Sequence, residues 1–206
     1  MILETIVVGP MQANCYILAS DKNSDCLIID PGADERKIRN VLEKYNLIVR
    51  FVINTHGHFD HIGCDDKFGV AVYAHKQDVM MLKKAELNFS GLFSMPYRVT
   101  SQILPLEDKD EVKTEDLELE VIHVPGHTPG GIALLIKKPK SRVVFTGDSL
   151  FCQGIGRTDF EGADEGLLLK SIKEKILTLP DDTVIYPGHG ASSTIGEEKR
   201  NNPFLR

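Results

Sequence analysis

The sequence has no C-x-x-C pair; its four cysteines, Cys15, Cys26, Cys64 and Cys152, lie far apart. That spacing argues against a structural zinc ribbon. The first residues, Met1-Ile2-Leu3-Glu4-Thr5, show no basic region or cleavage site, so a secreted disulfide framework is not expected either. The thiols should be reduced and mostly buried as small hydrophobes. Long apolar runs are also missing: stretches such as Ile132 to Ile136 and Val143 to Phe145 are far shorter than the roughly 20 residues a membrane span needs. The expectation is a soluble, cytoplasmic protein with no membrane partner. There is no basic tract, and 24 Lys and Arg against 30 Asp and Glu give a formal net charge of −6. Nucleic-acid binders concentrate positive charge on one face, so a nucleic-acid partner is not expected. Asn88-Phe89-Ser90 matches a glycosylation acceptor, incidental in an unexported chain. Internal repeats, linkers and low-complexity segments are absent.

What is present is ordinary globular composition: 206 residues, 42% hydrophobic and 26% charged, which suits a single domain over 1–206 with a real core. Residues 3–8 and 13–19, separated by Gly9-Pro10, read as a hairpin, and Cys26 to Ile29 as a third strand stopped by Asp30-Pro31-Gly32. Ile38, Val41, Leu42 and Tyr45 form an amphipathic stripe, with Asp34 and Glu35 at its positive end. Phe51 to Ile53 reads as a buried strand, Ile62 to Phe68 as a short helix, Val70 to Ala74 as a strand and Lys76 to Lys84 as a helix. Residues 85–105, with scattered Gly91, Pro96 and Pro105 among apolar side chains, read as a long loop. It forms either a satellite cluster on the core or a wall of a substrate pocket. Strands are expected near 117–122, 132–136, 142–146 and 183–186, a helix along Leu168, Ile172 and Ile176, and a short helix at the end. Such alternation suggests sheets packed face to face with helices outside, the α/β (α+β) class.

The chain is organised around Thr55-His56-Gly57-His58-Phe59-Asp60-His61, which places three imidazoles and a carboxylate directly after an apolar strand. Imidazole nitrogen and carboxylate oxygen are the ligands of borderline divalent metals. His56 and His58, alternating in an extended loop, can aim both rings at one ion, leaving Asp60 and His61 for a second. Three later strand ends repeat the pattern: His127 in Pro125-Gly126-His127-Thr128-Pro129-Gly130, Asp148 after Gly147, and His189 in Pro187-Gly188-His189-Gly190. Seven candidate ligands are too many for one four-coordinate ion; they suit two ions sharing a carboxylate, for which Asp148 is the natural bridge. Asp30 also ends a strand. It either accepts a hydrogen bond from the metal loop or simply shapes its own turn. His75 and His123 lack this setting and are read as surface or hydrogen-bonded residues.

Those motifs, H-x-H-x-D-H at 56–61, P-G-H-T-P-G around His127, G-D-S-L-F at 147–151 and P-G-H-G around His189, resemble the metallo-β-lactamase superfamily, in particular glyoxalase II, the hydroxyacylglutathione hydrolases. The resemblance covers nearly the whole chain. It implies a four-layer αββα sandwich with the site at one edge of the two sheets. It implies that His56, His58 and His127 hold one ion and Asp60, His61 and His189 the other, with Asp148 bridging. The cofactor implied is two divalent ions, zinc in the first place and iron or manganese as alternatives. Asp60 and Asp148 thereby serve as catalytic carboxylates as well as ligands.

Two ions about 3.5–4 Å apart lower the pKa of a shared water towards 7, which supplies hydroxide as nucleophile against an acyl carbonyl. A thiolate leaves with little protonation, whereas an amine or alkoxide needs an acid; the expected substrate is a small-molecule acyl thiol such as S-lactoylglutathione. Arg157 stands roughly where glyoxalase II enzymes carry a basic residue for glutathione. It either pairs with a substrate carboxylate or braces its own loop through Asp159. Long glyoxalase II enzymes add a C-terminal helical domain to the thiol site, and this chain ends at Arg206, so it resembles a short form. Gly156-Arg157-Thr158-Asp159-Phe160 is also similar to the persulfide dioxygenases of the same fold, which use a single iron on the first ligand set. Oligomeric state is not encoded in any feature of the sequence.

Overall fold

The computed structural model describes residues 1–93 and 95–206. Six strands form a first sheet in sequence order: β1 (Ile2–Val8), β2 (Ala13–Ala19), β3 (Asp25–Ile29), β4 (Ile48–Ile53), β5 (Ala71–His75) and β6 (Ile103–Leu106). The first three pair antiparallel and the last three continue parallel. A second six-stranded sheet holds β7 (Glu111–Lys113), β8 (Glu118–His123), β9 (Ile132–Lys138), β10 (Val143–Gly147), β13 (Val184–Pro187) and β14 (Ser193–Thr194), in the order β14-β13-β10-β9-β8-β7. A small hairpin of β11 (Leu150–Phe151) and β12 (Gly154–Ile155) sits between β10 and the segment that follows.

Side chains on a strand alternate between its two faces, and here both faces are buried. Cys15, Ile17, Cys26, Ile28 and Val52 face one cluster, while their neighbours Tyr16, Leu18, Leu27, Ile29, Phe51 and Ile53 face another. The second cluster is the interior between the sheets, which the other sheet fills with Leu119, Val121, Leu134, Ile136 and Phe145. Each such buried side chain contributes about 1.5–3 kcal/mol relative to exposure. The outer face of the first sheet is covered by α1 (Glu35–Tyr45), α2 (Phe59–Ile62) and α3 (Val79–Lys83), through Ile38, Leu42, Ile62 and Leu82. The outer face of the second is covered by Leu168, Ile172, Ile176 and Ile195, on α4 (Glu165–Ser171), its wider π continuation Ile172–Ile176, and α5 (Ile195–Asn201). Helix, sheet, sheet and helix make the four-layer order expected from the sequence. Among the described residues, no helix is long and apolar enough to cross a membrane.

The strands and long helices fall within a few residues of their expected places, and the differences sit at loops. The helix expected at 62–68 instead starts at Phe59 and is followed by a 3-10 turn, Asp65–Lys67. The helix expected at 76–84 shortens to Val79–Lys83. Residues 85–105, of which 94 lies outside the described residues, hold a 3-10 turn at Ser90–Phe93 and end in β6, an edge strand that tolerates Pro105. The charged stretch after it contains β7, again at an edge. Asp34 does not cap its own helix; its carboxylate accepts from Gly9 N at 3.1 Å and Lys37 Nζ at 2.7 Å. Cys15, Cys26 and Cys64 are buried, Cys152 is exposed, and all four are free thiols. Burial pushes the Cys26 thiol up to about 12, which keeps it inert.

Candidate metal centre

All seven candidate ligands converge at the carboxyl ends of β4, β8, β10 and β13. β4 ends at Ile53, and Thr55 is then fixed by Asp30 at the end of β3: Asp30 Oδ1 accepts from Thr55 N at 2.7 Å and Oδ2 from Thr55 Oγ1 at 2.6 Å. Asp30 Oδ2 also lies 3.1 Å from His61 Nδ1. The buried carboxylate therefore accepts bonds from the metal loop and from a ligand-type histidine together, the first of the two roles considered for it. His58 is the residue before α2, with φ −72 and ψ 148, so Asp60 and His61 occupy the first turn of that helix. His56 and His58 lie in the extended loop expected for them, and Asp60 and His61 follow on the helix.

Six of the candidate ligands form two triplets, and a third close group, Asp30, His56 and His61, links them. His56, His58 and His127 each offer a nitrogen, all within 4.8 Å of one another, and a carboxylate oxygen of Asp60 and nitrogens of His61 and His189 lie equally close together. His58 Nδ1 is 3.0 Å from His127 Nε2, and His61 Nε2 is 3.2 Å from His189 Nε2. Two nitrogens on a tetrahedral ion with bonds of about 2.0–2.1 Å stand about 3.3 Å apart, so these spacings fit ligation. Asp148 lies between the triplets. Its Oδ1 is 3.5 Å from His61 Nε2, and its Oδ2 is 3.6 Å from both His127 Nε2 and His189 Nε2. His56 Nε2, His58 Nε2 and Asp148 Oδ1 are buried with no hydrogen-bond partner. Buried polar atoms are almost always satisfied, and the unpartnered His56 Nε2 and Asp148 Oδ1, each among the clustered ligand-type groups, fit a cation; His58 Nε2 is the ring nitrogen opposite the Nδ1 that faces His127.

The electrostatics of the two triplets differ. Burial and the neighbouring imidazoles hold His56 well below its ordinary value, and burial does the same to His58 and, less strongly, His127. Burial also opposes charge on His61, but Asp148, Asp60 and Asp30 push it up to about 10. His189 is raised by Asp60 and Asp148 against its own burial, and the two histidines hold Asp60 well below the carboxylate range. The first triplet is thus neutral without metal, and the second carries protons that a cation must displace.

Several supports had no signal in the sequence. Asp78, at the start of α3, is fully buried and accepts from Gly57 N at 3.0 Å, Thr128 Oγ1 at 2.7 Å and Gly130 N at 2.6 Å. One carboxylate thereby ties the His56–His58 loop to the His127 loop. Asn14 on β2 reaches across to the other sheet: its N donates to Gly188 O at 2.7 Å and its Nδ2 to Pro187 O and Gly190 O, both at 2.9 Å. That brackets His189 on both sides. Tyr16 OH donates to the same Pro187 carbonyl. Gly188 permits a close approach, since a Cβ there would collide with Asp148 Oδ1. Phe89 and Phe160 pack on the first triplet, their rings 5.0 and 5.2 Å from His58.

Arg157 contributes its backbone, not its charge, to the site: its carbonyl accepts from His127 Nδ1 at 2.8 Å, which leaves Nε2 facing the triplet. Its guanidinium is exposed and holds Asp159 through two bonds of 2.9 and 3.0 Å. His75 and His123 stay out of the triplets and are hydrogen-bonded, the second of the two readings for them: the buried His75 accepts from Gln77 N at 3.4 Å. The two rings stack at 3.9 Å and 15°, and His123 Nε2 donates to Pro129 O at 2.9 Å. Asn88 is buried and donates to Met81 O and Tyr97 O, so the glycosylation match is internal to the fold.

Comparison with known proteins agrees with this geometry. The chain is 40% identical over 204 residues to the probable metallo-hydrolase YqgX of Bacillus subtilis, covering 96% of this chain and 94% of that protein. It is 36% identical to the hydroxyacylglutathione hydrolase GloC of Haemophilus influenzae, covering 100% and 98%. The BLEG-1 B3 metallo-beta-lactamase structure superposes with a TM-score of 0.89 at 37% identity, over 99% of both chains. TTHA1623 in a di-iron-bound form gives 0.82 at 32%, over 98% of this chain and 100% of that one. A sequence model of the Metallo-beta-lactamase superfamily matches residues 8–189. The fold, the paired His/Asp triplets and these matches together make the chain a member of the metallo-β-lactamase superfamily.

Proposed function

We propose that this chain, with residues 1–206 acting as one unit in the cytoplasm, hydrolyses thioesters of a small thiol using two divalent ions. The observation that carries the reading is Asp148, whose two oxygens face the two triplets within 3.5–3.6 Å of their imidazoles. His56, His58 and His127 would hold one ion, Asp60, His61 and His189 the other, and Asp148 would serve both. Zinc suits this donor set, and iron or manganese suit it as well. Bound there, the ions supply the positive charge that acidifies water and polarises an acyl carbonyl. The chain's part is to hold that geometry. Asp30 fixes the ring of His61, the Arg157 carbonyl fixes His127, and the hydroxyl of Thr55 fixes His56, its Oγ1 lying 3.2 Å from Nδ1. Phe89 packs its ring on His58 and Phe160 meets His127 edge-on, which holds both imidazoles in place. A thiolate leaving group, with a pKa near 8.5, departs without a dedicated acid. The full-length similarity to a hydroxyacylglutathione hydrolase supports a thioester over other acyl substrates. Arg157 can meet a substrate carboxylate only by giving up Asp159.

The test is metal content per chain on protein purified without added metal, with S-lactoylglutathione hydrolysis assayed on the same sample. Two ions with rapid turnover, lost in Asp60→Ala and His189→Ala, are expected. One iron with negligible hydrolysis and oxygen uptake on a persulfide would replace this reading with the mononuclear dioxygenase.

A further inference from the structure

A cavity of about 310 Å³ opens directly beside the first triplet, with His58 and His127 in its lining. Its walls include Phe89, Phe160, Met80 and Met81, and its charged lining residues are Glu86 and Glu161, both exposed, with no Lys or Arg. Phe89 lies nearly parallel to His58, at 27°, and Phe160 meets both His58 and His127 edge-on, at 81° to each. The wall is built in place: Phe89 sits in the left-handed region, φ 68, a conformation costly for a bulky residue. Asn88 pins that turn, donating to Met81 O and Tyr97 O and accepting from Ser90 N.

A thioester has two arms. The thiol arm of a carrier such as glutathione bears carboxylates, which two wall glutamates repel and no cation in the lining offsets; Arg157 nearby in sequence is neutralised by Asp159. Only the acyl arm can be apolar enough for these walls. A cavity of about 150 Å³ lined by apolar side chains already holds benzene, so twice that volume accepts an aryl-acyl group.

We propose that this cavity receives the acyl arm of the thioester and selects apolar, preferentially aromatic, acyl groups over carboxylated ones. The inference rests on the thioesterase reading. It is tested with the phenylacetyl, lactoyl and succinyl thioesters of one neutral thiol, N-acetylcysteamine, so that the thiol arm is constant. Expected is a kcat/KM for phenylacetyl at least tenfold above succinyl, with lactoyl between. Phe160→Ala should compress that ratio towards unity, and the Glu86→Gln, Glu161→Gln pair should raise succinyl relative to phenylacetyl several-fold. Calorimetry on the metal-free protein gives a second readout: the S-phenethyl thioether of the same thiol should bind, more weakly in Phe160→Ala, and the S-carboxypropyl thioether should not. Succinyl turnover equal to or above phenylacetyl, or thioether binding indifferent to Phe160→Ala, overturns the inference. Selective thioether binding with no turnover of any thioester would instead remove the thioesterase reading and leave the cavity's preference intact.

Discussion

His56, His58 and His127 are three buried imidazoles, at most 6% exposed, with two phenylalanine rings packed on His58, and neutral in the metal-free chain. Asp60, His61 and His189 include a carboxylate, leave the His189 side chain 27% exposed and hold protons in the metal-free chain. The same fold edge thus carries one triplet that is neutral without metal and one that holds protons. The first should fill at lower metal concentration and lower pH; the second should be the one that pH and chelators empty.

The largest effect should come from removing what the halves share. Asp148→Ala should strip both ions and lower turnover by about 10³-fold, or about 4 kcal/mol of barrier, read by metal analysis alongside kinetics. Gly188→Ala is narrower: the added methyl collides with Asp148 Oδ1 beside His189. It should leave one ion bound and cost about 10²-fold in activity; retention of two ions would remove the proposed reason for glycine there. Asp78→Ala acts on the other half, leaving two buried N–H groups and a hydroxyl unpaired. Thermal melts should show about 2–3 kcal/mol lost, and first-triplet affinity should fall about 10–100-fold while the second triplet changes less.

The pH dependence should reverse on adding metal. A His61 pKa raised to about 10 in the fold stabilises the metal-free chain fully below its unfolded value near 6.5, and that contribution is lost as pH rises towards 10. Melting temperature without metal should therefore fall over that window, and with saturating metal, which competes with protons, it should rise. The smallest expected effect is that of Arg157→Ala. Because its exposed guanidinium is engaged by Asp159, the change in KM for S-lactoylglutathione should stay within about twofold.

The seven ligand-type residues were legible because each sits in a local pattern: five of them, His56, His58, His127, Asp148 and His189, sit beside glycine after an apolar strand, and Asp60 and His61 follow directly in the H-x-H-x-D-H run. The layered core was legible for the same reason: Tyr16 and Ile17, or Phe51 and Val52, take opposite faces by alternation alone. Asp78 and Asn14 were not, because their roles exist only across the fold: Asp78 meets residues 57, 128 and 130, and Asn14 meets residues 187 to 190. A carboxylate three residues after a strand, or an asparagine inside one, looks unremarkable until its distant partners arrive. Edge strands β6 and β7 were missed because proline and charge, poor strand formers, are tolerated where one side of the ladder is unpaired. The aromatic cover of His58 was half legible: the apolar side chains of residues 85–105 suit a satellite cluster or a pocket wall, and while Tyr97 and Val99 pack on the core, Phe89 packs on His58.

The bracket that Asn14 places around His189 joins positions more than 170 apart in the chain. A polypeptide is made from its amino end, and contacts so distant in sequence must wait for the later partner to emerge. When residue 127 has left the ribosome the first triplet has its three histidines, but the second still lacks His189, and Asp148, which faces both, has yet to emerge. The two halves of the cluster are therefore completed in the order of synthesis, the three histidines of the first triplet before the proton-holding second, which closes only when β2 meets the segment that follows β13.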